Sequence, residues 1–474
     1  MTTRTVRLAH VSLPAFPLPA SQPQVTASEY AARIDTARAR AAQAGLDMLI
    51  VYGDREHFAN ITYLTDYDPR FEEALLLIPT TGSPGGSRST EPILIVGNEG
   101  LGYAELCPLP IACKLYQGFS LLGQPRGEAP RLAPVLRECG VQPGMRLGLA
   151  GWKYFTPQES DDPAHTLDAP AFITDTLRAL VGDPALVTNA TALFMNPEDG
   201  LRLTNSADQL AAFEFAAAHC AHAVRALITG MRPGMTELEA VARMGLNGMP
   251  WTAHLMFSTG PRARVGLPSP MDRVIEPGDP FFVAFGLRGG LTARAGFVAA
   301  GAEDLPAANA EYLQGMAFPY YRAVVAWYEA LGLGVAGGQV EAGVDDALRG
   351  TGIKLALNPG HYIHLDEWVH SPFFPGSPLP LRSGMLLQCD LIPAGAPAHF
   401  TANAEDTLAL ADEPLRAEIA ARYPDLWARI NHRRQFMAEV LGIHLKPEVL
   451  PFSDFPAVVS PFVLAPDTVL VSEA

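Results

Sequence analysis

The sequence predicts an α/β unit over residues 28–195, followed by an α+β unit over residues 196–412. In the first unit, helices alternate with short apolar runs that end near Gly or Pro, which is the pattern of buried strands in an α/β domain. In the second unit, two helices with clear start signals precede a region of short apolar runs, which is typical of an α+β domain. Residues 1–27 are predicted to be an N-terminal extension, and residues 413–474 a C-terminal helix with a Pro-rich tail.

The first unit opens with a predicted helix over residues 28–45, because alanine and arginine dominate there and Gly45 provides a stop. Four apolar runs follow that have the length of buried strands. They are residues 47–52, 74–78, 92–96 and 147–151. A later helix is expected near residues 173–181. Residues 79–91 are rich in Gly, Ser, Thr and Pro, which predicts a flexible loop.

Two capping-box patterns mark helix starts in the second unit. Ser206 with Gln209 opens a long helix that Gly230 ends, and Thr236 with Glu239 opens a second helix. Further helices are predicted over residues 311–331, 340–349 and 414–441, and strands over residues 362–365, 385–391 and 407–410.

Composition narrows the function classes. Of 474 residues, 48% are hydrophobic and 18% are charged, which is the balance of a packed globular protein. The net charge of −16 disfavours nucleic acid and anionic membranes as partners. No apolar run has the roughly 20 residues of a membrane helix, and the N-terminus lacks the apolar stretch of a signal peptide. The five cysteines form no CxxC pair, so a reduced, cytoplasmic protein is expected.

Several segments resemble the creatinase, prolidase and aminopeptidase P superfamily. In the second unit these are residues 233–239, 272–279, 358–366 and the pair 383–390 and 404–408; in the first unit they are residues 46–53 and 60–65. The resemblance covers residues 28–412. It implies a creatinase-type N-terminal domain followed by a pita-bread domain. It also implies a homodimer in which one chain's N-terminal domain approaches the other chain's site.

The resemblance implies a pair of divalent metals held by two aspartates, one histidine and two glutamates. This sequence departs from that pattern. Ala284 aligns with the first aspartate, and the second falls at Arg294 or Ala295, depending on the register. Residues 280–302 contain no Asp or Glu, so neither register supplies the missing ligands. No metal cofactor is therefore expected.

Three of the five ligand positions keep groups that can bind a metal or act as acids and bases. His361 stands at the histidine position, and Asp390 and Glu405 stand at the glutamate positions. One divalent metal (Mn, Zn, Co or Fe) held by these three residues is the alternative. The family has a further histidine nearby. His370 is the candidate but comes two residues late, and Trp368 occupies the unshifted position.

Arginines in the altered segment suggest how the carboxylates are neutralised. Buried carboxylates need a cation or a proton. The hypothesis is that Arg294, or Arg288, fills the volume of the missing metals and pairs with Asp390 and Glu405. The alternative is that these arginines point outward and the carboxylates reach water.

Other polar residues are candidates for lining the pocket. His254 lines it or is a structural histidine, and His364 lines it or is a hydrogen-bonded sheet histidine. Glu367 and Trp368 form either a polar rim with an aromatic floor or a surface turn. The tail beyond residue 413 is expected to be a strap over the body or a dimer element.

Three functions compete, and the sequence leaves catalysis undecided. The first is a homologue of Xaa-Pro peptidases that has lost the dinuclear metal centre and binds a small molecule or short peptide, or hydrolyses a C–N bond without metal. The second is an active Xaa-Pro dipeptidase or aminopeptidase with a residual metal. The third is a non-catalytic interaction module.

Overall fold

The computed structural model describes residues 4–80, 91–394 and 401–473. These residues form two compact units, Val25–Leu203 and the described parts of Met1–Gln24 with Thr204–Ala474. Most of the loop predicted over residues 79–91 lies outside the described residues. The first strand, β1 (Thr5–His10), pairs antiparallel with the strand Thr468–Glu473 at the other end of the chain. This pairing joins the N-terminal extension to the tail within one unit.

The unit of residues 25–203 is built on a six-stranded sheet. Its strands are β2 (Met48–Gly53), β3 (Ala74–Pro79), β4 (Ile93–Val96), β5 (Ala112–Leu115), β6 (Leu147–Ala150) and β7 (Val187–Asn189). Its helices are α1 (Ala27–Gln43), α2 (Ala59–Thr65), α3 (Asn98–Tyr103), α4 (Leu132–Glu138), α5 (Ala171–Val181) and α6 (Ala192–Met195). The strand order is β5-β4-β3-β2-β6-β7, and β3 runs antiparallel to both of its neighbours. The predicted α/β architecture is confirmed.

The other unit contains a seven-stranded sheet surrounded by helices. Its helices are α7 (Ala207–Gly230), α8 (Glu237–Val241), α9 (Phe318–Ala330), α10 (Gly337–Leu348), α11 (Glu413–Arg422) and α12 (Pro424–Glu439). Its further strands are β8 (Met256–Thr259), β9 (Pro280–Leu287), β10 (Gly290–Phe297), β11 (Lys354–Leu355), β12 (His361–Tyr362), β13 (Leu386–Asp390), β14 (Pro393–Ala394), β15 (Asn403–Leu410), β16 (Val449–Pro451) and β17 (Thr468–Glu473). The strand order in the seven-stranded sheet is β12-β13-β15-β10-β9-β8, with β16 paired to β15.

Local sequence explains where the helices of this unit begin. The Ser206 hydroxyl accepts a hydrogen bond from the Gln209 backbone N–H at the start of α7. Thr236 and Glu239 form a reciprocal capping box at the start of α8. Each cap satisfies donors that the first helical turn leaves unpaired. Helix α7 then packs on β9 and β10, which fixes one face of the sheet as a covered core.

Two predicted elements differ from the structure. The single helix predicted over residues 414–441 is split into α11 and α12, because Pro424 provides no N–H to continue the first helix. The strand predicted over residues 362–365 is limited to β12. The chain turns back after Tyr362, whose N–H donates to the His370 carbonyl while its own carbonyl accepts from the Val369 N–H.

Among the described residues, no helix is long and apolar enough to cross a membrane.

Candidate functional site

The site is positioned by the antiparallel pairing of β12, β13 and β15 in the seven-stranded sheet. Asp390 in β13 lies directly opposite Glu405 in β15, and His361 in β12 lies opposite Gln388, two residues before Asp390. Directly opposed residues in an antiparallel sheet point to the same face, as do residues two apart along a strand. These four side chains therefore share one face, which we call the cluster face.

His361 is the centre of this group. Its ring is fully buried, and its Nε2 lies 3.2 Å from Glu367 Oε1, 3.6 Å from Glu405 Oε1 and 4.0 Å from Asp390 Oδ2. The Nδ1 atom lies 3.2 Å from the Tyr362 carbonyl, so Nδ1–H donates there and Nε2 faces the carboxylates. We call His361, Glu367, Asp390 and Glu405 the His361 cluster.

An aromatic ring fixes the imidazole from one side. The Trp368 ring stacks on the His361 ring with centroids 4.2 Å apart and an angle of 22° between the planes. Trp368 and Glu367 both come from the loop that follows β12. The Glu367 side chain is 31% exposed, whereas those of His361, Asp390 and Glu405 are almost inaccessible. Glu367 is thus the member of the cluster through which solvent or a ligand reaches it.

Charge in the cluster is unbalanced, with three carboxylates around one imidazole. Burial works against a protonated His361, but the nearby carboxylates of Glu367, Glu405 and Asp390 outweigh it and raise the pKa of His361 well above 6.5. Burial, together with the charge of Glu405, raises the pKa of Asp390 well above its usual range. Burial also raises the pKa of Glu405, against the effect of His361. The cluster therefore retains protons or attracts a cation.

A glutamine completes the wall of the site. Gln388 Nε2 donates to Glu405 Oε1 at 3.1 Å and to the Leu291 carbonyl at 3.0 Å. Asp390 Oδ1 and Gln388 Oε1 are buried and have no hydrogen-bond partner among the described residues. Two acceptors at the cluster are therefore left for a bound donor or cation.

The register of β9, β10 and β15 tests whether a dinuclear metal centre fits. Ala284 lies opposite Ala293, which lies opposite Glu405, so these three residues share the cluster face. Ala295 follows Ala293 by two residues and is on that face, whereas Arg294 is on the other. The two positions at which the resemblance expects metal-binding aspartates on this face, 284 and 295, are thus both buried alanines. The described donor set does not fit two metals.

A single cation fits better. His361, Glu367 and Glu405 each offer one ligand atom, and these atoms lie within 4.8 Å of one another. One histidine with two carboxylates is a donor set that divalent transition metals accept. Glu367 is not one of the ligands that the resemblance implies.

Arg294 takes no part in the cluster, and the predicted pairing with Asp390 and Glu405 is wrong. Its Nη2 donates to both carboxylate oxygens of Asp406 at 2.9 Å, and its Nε donates to the Val458 carbonyl at 2.6 Å. The physical reason is strand alternation, because Arg294 and Asp406 each adjoin a cluster-face residue and so point to the opposite face. There, Arg294 anchors the C-terminal tail.

The other predicted pocket residues are dispersed. His254 is exposed, with Nε2 donating to the Leu267 carbonyl at 2.9 Å. His364 is buried edge-to-face against Phe213, with ring centroids 4.9 Å apart. Arg288 is half-buried immediately after β9.

His370 is mostly buried next to its own backbone. Its Nδ1 donates to the Ser371 carbonyl at 3.1 Å, and burial lowers its pKa. Sequence analysis did not single out Gln388. Its position two residues before Asp390, in a strand that is buried throughout, was the signal that could have identified it.

Neither a protein-family model nor a curated protein sequence matches this chain. Solved structures do. The dipeptidase PepE of Mycobacterium ulcerans is 20% identical, covering 82% of this chain and 95% of its own, with a TM-score of 0.58. The Xaa-Pro dipeptidase of Bacillus anthracis is 16% identical, with coverages of 81% and 96% and a TM-score of 0.58. The prolidase of Pyrococcus horikoshii OT3 is 15% identical, with coverages of 80% and 95% and a TM-score of 0.59.

At these identities the likeness establishes the fold. The chain has the fold of these dipeptidase and prolidase structures, and the two-domain pita-bread fold that the sequence motifs predicted is confirmed.

Proposed function

We propose that this pita-bread chain has lost the dinuclear metal centre and binds a small molecule or short peptide at the His361 cluster without metal. One observation carries the proposal. Ala284 and Ala295 occupy the two aspartate positions on the cluster face, so two ligands of a metal pair are missing while the histidine and the two carboxylates at the glutamate positions persist.

The remaining groups suit recognition of a ligand that donates hydrogen bonds. Asp390 Oδ1 is a buried acceptor with no partner among the described residues, and Glu367 is partly exposed beside it in the cluster. A primary amine or an amide N–H supplies the donors that these oxygens need. If chemistry takes place, the raised pKa of His361 favours the imidazolium, which can donate a proton to a leaving amine as a general acid.

The test is calorimetric titration of metal-stripped protein, kept in a chelator, with a panel of Xaa-Pro dipeptides and small amines. Saturable binding is expected, with an affinity at least ten-fold lower in His361→Ala and Glu405→Gln. His254→Ala is the control, because His254 is exposed and its ring donates to the Leu267 backbone carbonyl, away from the cluster residues. Binding that appears only after Mn²⁺ or Zn²⁺ is restored would overturn the metal-free proposal.

A second candidate is a peptidase that works with one divalent metal (Mn, Zn, Co or Fe). The specific observation is the spacing of the donor atoms. Ligand atoms about 2.1 Å from one ion lie roughly 3.0–3.4 Å apart. The distances from His361 Nε2 to Glu367 and Glu405 are 3.2 and 3.6 Å. A bound ion would act as a Lewis acid and lower the pKa of water, while Glu367, His361 and Glu405 would hold it.

Glu367→Gln separates the two candidates. If one metal is bound through this trio, the variant loses stoichiometric metal and its peptidase activity together. If the site works without metal, elemental analysis finds no stoichiometric ion in the wild type or in Glu367→Gln.

Three further parts of the proposal rest on the resemblance and on composition. These are a homodimer, a cytoplasmic location, and, as a third function, a non-catalytic interaction module. Light scattering of the purified chain tests the dimer. Binding of a peptide without any turnover would favour the interaction module.

A further inference from the structure

We propose that the N-terminal α/β unit carries a second ligand site, which takes a small organic cation with an aromatic or alkyl body. The site is a cavity of about 560 Å³ between residues 67–72 and helix α3 with the residues just after it. Its volume is within the range of small-ligand sites in proteins. The His361 cluster lies in the other unit, so this inference is independent of the proposed function.

A buried carboxylate marks the polar end of the cavity. Glu72 lines the cavity and is 5% exposed. Its Oε2 accepts hydrogen bonds from the backbone N–H groups of Glu99 at 3.0 Å and Gly100 at 3.1 Å. Its Oε1 is buried and has no hydrogen-bond partner among the described residues. A buried carboxylate oxygen without a donor is rare, because it loses hydration and receives nothing in return. An ammonium group bound in the cavity would offset the charge of this carboxylate through space.

Two glycines shape the backbone around this carboxylate. A Cβ on Gly97 would lie 2.2 Å from Glu72 Oε2, and a Cβ on Gly100 would lie 2.3 Å from the Tyr67 hydroxyl oxygen. Any side chain at either position would displace Glu72 or Tyr67. The backbone at these two glycines therefore lies close to both polar groups.

Aromatic and apolar side chains form the remaining walls. Phe71 and Leu106 are 78% and 73% exposed, and Tyr103 is 44% exposed. The Tyr67 and Tyr103 rings meet edge-to-face with centroids 5.8 Å apart. Large apolar side chains that are exposed to solvent around a cavity are typical of a binding surface. Aromatic faces combined with a carboxylate favour a cation through electrostatic attraction to the rings.

The charge around the cavity selects against anions. Three carboxylates line it, those of Asp68, Glu72 and Glu99, with one arginine, Arg70. Arg70 Nε donates to Asp68 at 3.2 Å, and its guanidinium lies 5.1 Å from the centre of the Phe58 ring. Asp68 matches the charge of this arginine, which leaves two carboxylates in excess.

The experiment uses the full-length protein and three probes that share a phenylethyl body and differ in the head group and its charge. They are 2-phenylethylammonium, neutral 2-phenylethanol and anionic 3-phenylpropanoate. Binding is measured by saturation-transfer NMR and by calorimetry. The ammonium is expected to bind saturably, at least ten-fold more tightly than the alcohol, and the anion is expected not to bind.

Two variants locate the binding. Glu72→Gln keeps an acceptor oxygen for the Glu99 and Gly100 N–H groups but removes the charge, and it is expected to weaken ammonium binding at least ten-fold. Tyr103→Ala, at a partly exposed wall, is expected to weaken it several-fold. Glu105→Gln is the matched control, since Glu105 is near in sequence but does not line the cavity. Absence of saturable ammonium binding would overturn the proposal. So would equal binding of the three probes, or binding that neither Glu72→Gln nor Tyr103→Ala alters in correctly folded protein.

Discussion

Replacing Arg294 by alanine tests the placement of this residue on the face opposite the cluster. The Arg294 and Asp406 side chains are both about 2% exposed and form an ion pair, in which Arg294 Nη2 donates to both Asp406 oxygens at 2.9 Å. The guanidinium also donates to the backbone carbonyls of Val458, Glu405 and Phe455, so it joins the sheet to the tail. Its removal leaves a buried carboxylate and several carbonyls without their donor.

The expected loss of unfolding free energy in Arg294→Ala follows from this geometry. Removing one partner of a buried ion pair costs about 3–5 kcal/mol of unfolding free energy. Asp406 keeps the Ala457 N–H at 2.8 Å and the Ser453 side chain as donors, which favours the lower part of that range. Burial already raises the pKa of Asp406 against the opposing effect of Arg294. Without the arginine, Asp406 takes up a proton more readily, so the loss should be smaller at pH 5 than at pH 8.

The assay is urea unfolding followed by tryptophan fluorescence, because Trp327 is fully buried in the same unit. Arg349→Ala is the control. Arg349 pairs with Asp346 on the surface, where such a pair contributes less than about 1 kcal/mol. A second variant, Arg294→Leu with Asp406→Leu, should recover most of the stability because no buried charge remains unpaired. If Arg294→Ala stayed within about 1 kcal/mol of the wild type, or selectively abolished ligand binding at the His361 cluster, the placement would be wrong.

Three further predictions concern the cluster itself. The folded pKa of Asp390 is raised above its unfolded value, so its contribution to stability is complete below about pH 4 and is lost as pH rises through the folded pKa. Asp390→Asn should therefore gain stability relative to the wild type between pH 4 and pH 8, by more than about 1 kcal/mol; a constant difference across that range would count against it. Gln388→Leu should lose about 1–3 kcal/mol and weaken binding at the cluster, because Glu405 and a backbone carbonyl lose their donor; unchanged urea midpoints and affinities would contradict this. Ala284→Asp with Ala295→Asp should be destabilised without metal and stabilised by Mn²⁺, as read from melting temperatures; indifference to Mn²⁺ would show that these positions do not face the cluster.

The sequence predicted the fold because its local signals agree with its long-range pairing. Caps such as Ser206 and Thr236 fix helix starts, and buried runs such as β2 and β3 are too apolar to lie anywhere but in a sheet centre. The motif order then placed His361, Asp390 and Glu405 together, and the structure brings these three side chains to one face.

What the sequence could not predict depends on register and on contacts between distant segments. A shift of one residue moves a side chain to the other face of a strand. Whether Arg294 or Ala295 stands at the second aspartate position therefore could not be decided without the pairing of β9, β10 and β15. Glu367 reaches His361 only because the chain turns back after β12, and no periodicity signals that turn.

The proposed loss of the dinuclear centre is tested most directly by counting metal ions. The purified chain is incubated with Mn²⁺, Zn²⁺, Co²⁺ or Fe²⁺, dialysed and examined by elemental analysis, and the same samples are assayed for proline release from an Xaa-Pro dipeptide. Because Ala284 and Ala295 provide no carboxylates, the expected result is fewer than two ions per chain and no activity that depends on a metal pair. Two ions per chain together with proline release would contradict the loss of the centre.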